Sequence, residues 1–234
     1  QDSEGNAVLD GLRREGVDTS HVHVFPADQA ATRTALILVD TDGERAIIEH
    51  RDPRLTLPDD YPSVDTLAQA RIVHLDATFP PSAERAALLA DASGALVSLD
   101  VDGAGDPPPS LLRDSDLCVV AETVPRLLTG LPDLEPAARA LADQIRGLLV
   151  VTRGERGSIA VLAGAAPDDL IRQPAYPAAH GPDGRIDTTS CGDTFRAALL
   201  VGLLRSADHD IAAGRPTDPR AALRAALDLA SAAA

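Results

Sequence analysis

The sequence predicts an α/β fold, a mostly parallel sheet flanked by helices, and three observations carry the prediction. From residue 70 onward, short apolar runs alternate with stretches of helical periodicity, the pattern of strands joined by right-handed crossovers. Ahead of them, two strand-like runs flank the turn sequence Asp40-Thr41-Asp42-Gly43, which reads as a hairpin. Near the end, a turn of small residues, Asp187 to Gly192, feeds a helix whose apolar face is Phe195, Ala198, Leu199, Gly202 and Leu203.

Taken in order, Asn6 to Glu15 reads as a helix with Leu9 and Leu12 inward, ended by Gly16. Val22 to Phe25 and Arg33 to Val39 read as strands, and Arg45 to Glu49 returns against the second of them. Strands are then expected at Arg71–Leu75, Ala95–Leu99, Leu117–Val120, Leu148–Val151 and Ser158–Leu162. Helices are expected at Ser82–Asp91, Glu122–Leu128, Glu135–Arg146, Thr194–Leu204 and Arg220–Ala234. Asp102-Gly103-Ala104-Gly105-Asp106 looks like an anion-binding turn, but Pro107-Pro108-Pro109 follows, so a surface loop with no helix after it is expected.

Composition narrows the function. The 234 residues suffice for one large domain. Aromatic content is 2%, so the core must be built from Ala, Val, Leu and Ile. A net charge of −15 argues against nucleic acid as a partner, because phosphate backbones need a basic footprint. No run of 18 apolar residues is present, so no membrane partner is expected. Two cysteines, Cys118 and Cys191, lie far apart with no Cys-x-x-Cys pair, which fits a reducing cytoplasm. His21 and His23 could share a strand face, but no third metal ligand accompanies them.

The chemistry concentrates at two places. A turn at a helix start presents free backbone N–H groups and the positive end of the helix dipole, which together bind anions. Asp193 then sits as a carboxylate beside the bound anion, an arrangement suited to phosphoryl transfer. Thr152-Arg153-Gly154-Glu155-Arg156-Gly157 follows an apolar strand. A Gly-bearing loop at the carboxyl end of a parallel strand is where open α/β sheets bind ligands, although a plain strand connection would look the same.

The stretch Asp187-Thr188-Thr189-Ser190-Cys191-Gly192-Asp193 resembles the Asp-Thr-x-Gly-Ala-Gly-Asp signature of the ribokinase-like (PfkB) carbohydrate kinases. Leu12–Asp18, Thr32–Arg45, Val97–Asp100 and Thr152–Gly157 are similar to further segments of that family. The resemblance implies a three-layer fold over residues 1–234 with a small β lid at about 21–50. It implies further strands before residue 1, where a Gly-Gly-rich sugar-binding motif would lie, and a strand and helix after Ala234. It makes Asp193 the catalytic base, Ser190, Cys191 and Gly192 the anion hole, and Thr152, Arg153, Gly154 and Gly157 the ATP loop. ATP and Mg²⁺ are the implied cofactors. Asp187 and Thr189 would serve a monovalent cation such as K⁺, although Asp187 could equally bond its own turn.

The implied activity is ATP-dependent phosphorylation of a small sugar hydroxyl, with a nucleoside kinase as the alternative. Departures from the pattern keep a third reading open, a member that has lost catalysis and acts by binding. Ser190 and Cys191 replace Gly and Ala. Ala121 and Val124 stand where relatives place an Asn and a Glu that help organise Mg²⁺. A hairpin exposing Leu36, Leu38 and Ile47 is poorly stable alone, so pairing of two lids in a homodimer is also expected.

Overall fold

The computed structural model describes residues 2–40, 45–102, 107–166, 169–177, 188–212 and 219–234, without the side chains of 45, 207–212 and 219. The chain divides into two compact units, Gln1–Gln69 and Ala70–Ala234.

In the first unit, helix α1 (Ser3–Arg14) starts earlier than its apolar pattern suggests. Asp2 is the reason: its carboxylate caps the helix by accepting from the Gly5 N–H at 2.9 Å. The same carboxylate accepts from the Thr32 N–H at 2.8 Å and the Thr32 hydroxyl at 2.6 Å. Strands β1 (Thr34–Val39) and β2 (Arg45–His50) pair antiparallel, with Leu36 opposite Ile48 and Leu38 opposite Ala46. Their expected turn, residues 41–44, lies outside the described residues. A short helix α2 (Val64–Leu67) begins at the Ser63 cap. Val22–Phe25 is not a strand, contrary to expectation. Its first amide goes into a turn instead, Val22 N–H to Thr19 O, and a second turn follows it, Gln29 N–H to Pro26 O. His23 there stacks edge-on against Phe25, at 4.7 Å between centroids.

The second unit holds a six-stranded sheet in the order β3-β4-β5-β6-β7-β8. Strands β3 (Ile72–Leu75), β4 (Leu96–Val101), β5 (Leu117–Ala121) and β6 (Leu148–Thr152) run parallel. Strands β7 (Ser158–Leu162) and β8 (Ile171–Gln173) complete the sheet antiparallel. Only three residues long, β8 has too little pattern to be read from sequence. Helices α3 (Pro80–Ser93), α4 (Pro109–Arg113), α5 (Thr123–Thr129) and α6 (Leu134–Ala142) belong to the crossovers. α3 contacts β3 and β4, and α6 contacts β6 and β7.

Two expectations are corrected here. A helix does follow the triple proline: Pro109 starts α4, where proline's missing N–H costs nothing, and Leu111 and Leu112 are buried. Residues 103–106 of that segment lie outside the described residues. Helix α6 stops at Ala142 rather than Arg146. Beyond it the Arg146 N–H donates to the Ser115 carbonyl at 3.0 Å instead of to a helical carbonyl, and its guanidinium reaches Asp91 at 2.5 Å and the Asp114 carbonyl at 2.8 Å.

Helices α7 (Cys191–Ala212) and α8 (Pro219–Ala233) pack on each other. Phe195 and Leu199 of α7 and Leu223, Ala226, Leu227 and Ala230 of α8 form one core with Val119, Val150, Ala160 and Ile171 of the sheet. Gly202 lets the two helices approach closely, since a Cβ there would lie 2.7 Å from the Ala226 Cα. The opposite face takes the alanines of α3 and α6, so a core almost without aromatics closes by bringing backbones together.

Candidate active site

Parallel strands aim their carboxyl ends, and the loops that follow them, at one edge of the sheet. In the second unit that edge carries Asp76 after β3, Asp100 near the end of β4, Glu122 after β5, and Thr152 at the end of β6 with the loop 153–157 that follows it. Helix α7 opens at Cys191, three residues earlier than the apolar pattern suggests, which places Asp193 in its first turn.

The turn into α7 depends on Ser190. Its φ is +63°, and it is the non-glycine residue of positive φ among those described. The Ser190 carbonyl accepts from the Thr194 N–H at 2.9 Å, and the Cys191 N–H donates to the Thr188 carbonyl at 3.3 Å. Cys191 therefore spends its amide on the turn. The amides of Gly192 and Asp193, inside the first helical turn, have no acceptor within the helix. Gly192 and Asp193 are exposed and Cys191 is half-buried. Thr189 is exposed too, while Asp187 lies outside the described residues.

Arg196 joins this turn to the sheet. Its Nη1 lies 2.7 Å from Asp193 Oδ1 and its Nε lies 2.8 Å from Asp100 Oδ1. The sequence reading missed it, although an acid and an arginine three residues apart share one helix face. Burial pushes the Asp100 carboxyl up from 3.8 to about 6, against the pull of Arg196. Burial also lowers His74 on β3, whose Nδ1 lies 3.0 Å from the Ser98 hydroxyl. Cys118 on β5 is buried and its thiol is pushed up to about 12.

Around the loop after β6, the Arg153 N–H donates to the Gly157 carbonyl at 2.8 Å, and Gly154–Arg156 forms a 3-10 turn. The two glycines differ. A Cβ on Gly157 would strike the Gln173 carbonyl at 2.0 Å, so β8 dictates this glycine. Gly154 has φ +55° and faces open space. The Thr152 hydroxyl donates to the Val120 carbonyl at 3.3 Å. Arg153 Nε is buried with no hydrogen-bond partner among the described residues.

The departures noted in the sequence have physical consequences. Val124 is buried in α5 and offers no oxygen. Glu122 pairs with Arg156 of the loop and lies 3.9 Å from Arg126. No group of three metal-ligating side chains occurs among the described residues. The donors at this edge, first-turn amides and an unpaired guanidinium nitrogen, suit a polyphosphate. Mg²⁺ takes few protein ligands when phosphates and water supply the rest, and Asp76, Asp102 and Asp193 are exposed carboxylates at this edge.

Comparison with known proteins assigns the chain. It matches the pfkB family carbohydrate kinase description over residues 1–234 and belongs to that family. It is 29% identical to a ribokinase of Arabidopsis thaliana over 223 residues, 90% of this chain and 56% of that protein. It is 27% identical to fructokinase-1 of Zea mays, covering 87% of this chain and 66% of that one. A nucleoside kinase of Methanothermobacter thermautotrophicus is 26% identical, covering 88% and 64%. The chain thus spans between about half and two thirds of the length of these relatives. The structure of Arabidopsis thaliana ribokinase complexed with ribose and ATP aligns with a TM-score of 0.73 at 26% identity, over 99% of this chain and 72% of that one. A ribokinase from Giardia lamblia aligns at 0.80 and 20% identity over 99% and 73%, a likeness of fold. The expected ribokinase-like fold is the observed one. No described helix is long and apolar enough to cross a membrane.

Proposed function

We propose that the protein is an ATP-dependent kinase that phosphorylates a hydroxyl of a small sugar. The observation that carries this reading is Asp193, an exposed carboxylate in the first turn of α7 beside first-turn amides. In the proposed reaction the substrate hydroxyl oxygen attacks the terminal phosphorus of ATP, ADP leaves, and Asp193 takes the hydroxyl proton. The amides of Gly192 and Asp193 face the charge on the transferring group. Mg²⁺, when bound with the nucleotide, would supply charge that lowers the repulsion met by the incoming oxygen. Thr152–Gly157 lies along the nucleotide, with Arg153 Nε supplying a charged donor. Arg153→Ala should raise the KM for ATP about tenfold, as for a lost charge-assisted hydrogen bond. An unchanged KM in the folded variant would make the loop a strand connection only.

The direct test is transfer of labelled phosphate from ATP to ribose, fructose and adenosine. Turnover of a free sugar supports the reading, and turnover of adenosine alone favours the nucleoside kinase, a reading supported by the Methanothermobacter relative. No transfer to any acceptor, with ATP still bound, would favour a member that only binds. We also propose that the β1–β2 hairpin pairs two copies of the chain, because Leu36, Leu38 and Ile47 are each about half exposed. A monomer in sedimentation at micromolar concentration would overturn that, and Ile47→Glu should shift a dimer toward monomer.

A further inference from the structure

We propose that Arg196 is a positioning residue: anchored on Asp100 at the end of β4, its guanidinium holds the Asp193 carboxylate in the orientation from which that group takes the substrate proton. The proposal rests on the reading of Asp193 as the base.

Three observations carry it. The first is a contrast in exposure along one chain of contacts. The Asp193 side chain is 75% exposed, while those of Arg196 and Asp100 are 16% and 17% exposed. An exposed carboxylate on a helix has several rotamers open to it. A half-buried arginine fixed at its other end to the sheet selects one of them. Such an ion pair contributes little to stability, so its consequence is orientation.

The second is the approach to the turn. The Gly192 Cα lies against the guanidinium, and a Cβ there would sit 3.5 Å from both Nη1 and Nη2. The guanidinium thus flanks the same first-turn residues whose amides face the proposed phosphoryl group.

The third is the imperfect anchor. Arg196 Nε and Asp100 Oδ1 are close, yet off the line of a hydrogen bond, and both are buried without a hydrogen-bond partner among the described residues. Unused buried hydrogen-bonding capacity is unfavourable. As a mere tie between α7 and the sheet the pair is poor, and Phe195 and Leu199 already make that tie. The remaining charged and titratable groups around it are His74 on β3, Asp76 after β3, Asp102 after β4 and Cys118 on β5. His74 is held below its ordinary 6.5, so near neutrality it does not compete with Arg196 as a cation for the carboxylates.

The test is a double-mutant cycle on kcat in the full-length protein, with ATP and whichever of ribose, fructose or adenosine is turned over fastest. Arg196→Gln should lower kcat about 10- to 100-fold, the effect of a small misplacement of a reacting group, with both KM values within about twofold. Arg196→Lys should restore part of the loss. In the Asp193→Asn background, Arg196→Gln should change nothing further. Multiplied losses would overturn the proposal and place Arg196 on the phosphate itself. An active Arg196→Gln beside an inactive Asp193→Asn would overturn this proposal alone, and an active Asp193→Asn would overturn both it and the base assignment. Should Arg196→Gln not fold, Arg196→Lys takes its place in the cycle, with a smaller loss that again vanishes in the Asp193→Asn background. A second measurement needs no substrate. The carboxyl carbon of Asp100 should titrate at a higher pH in the folded Arg196 variant than in the wild type, where burial already places it near 6. An unmoved titration would overturn the anchoring contact.

Discussion

The two units of the chain are held together by different physics. Among the described side chains of 2–69, only Ala30, Asp52 and Pro62 are buried, and the hairpin is exposed over residues 34–39 and 46–50. Two carboxylates organise that unit. Asp2 gathers Gly5 and Thr32, while Asp52 accepts from the Ala31 amide at 2.9 Å and from Arg54 Nη2 at 2.7 Å. The unit from residue 70 onward has a continuous core of valine, leucine and alanine on both faces of its sheet. A sheet of six strands offers helices two faces to cover, and a sheet of two offers almost none. Small aliphatic residues therefore make a core in one unit and a surface in the other.

Mutations should expose this contrast most strongly in the core. Leu199→Ala, fully buried in α7, should cost about 2–5 kcal/mol in denaturant unfolding. Leu36→Ala, 58% exposed on β1, should stay within about 0.5 kcal/mol. Comparable losses at both sites would erase the distinction.

Acid should separate the units next, with opposite signs. Hydrogen bonds from Thr32 and Gly5, and from Arg54 and Ala31, hold Asp2 and Asp52 well below the usual carboxylate range. A depressed folded value contributes stability that is present above about pH 4 and is lost as pH falls further. Asp100 behaves in reverse. Its folded value is raised to about 6, so its ionisation weakens the second unit as pH climbs from about 4 to 6. Amide exchange at Ala31 and Thr32 should therefore quicken below pH 4. Asp100→Asn should remove part of the second unit's loss between pH 4 and 6. Acid-insensitive exchange at those two amides would leave the first unit without the carboxylate account.

The smallest effect falls at the turn into α7. Ser190→Gly removes a left-handed serine, whose strain of roughly 1–2 kcal/mol is partly offset by the greater freedom of glycine when unfolded. A gain below about 1 kcal/mol in thermal unfolding is expected. A loss would show that the Ser190 side chain contributes more than its backbone costs.

The sheet was legible because apolar runs such as Leu148–Val151 leave few alternatives once helices separate them. The α7 turn was legible because small residues before an amphipathic face mark a helix start. Val22–Phe25 misled because alternation signals a strand only if a partner strand exists. Gly157 carries a constraint the sequence does not show: a Cβ there would strike the Gln173 backbone, a neighbour no local pattern reveals. Arg196 stayed hidden because its meaning depends on Asp100, on another element far away in sequence.

Turnover by Asp193→Asn tests the central claim most directly. In the full-length protein, with ATP and the best of the three acceptors, kcat should fall on the order of 10²-fold or more while ATP affinity and thermal stability stay near wild type. A folded Asp193→Asn variant that turns over at close to the wild-type rate would contradict the assignment of the base, and with it the account of this site.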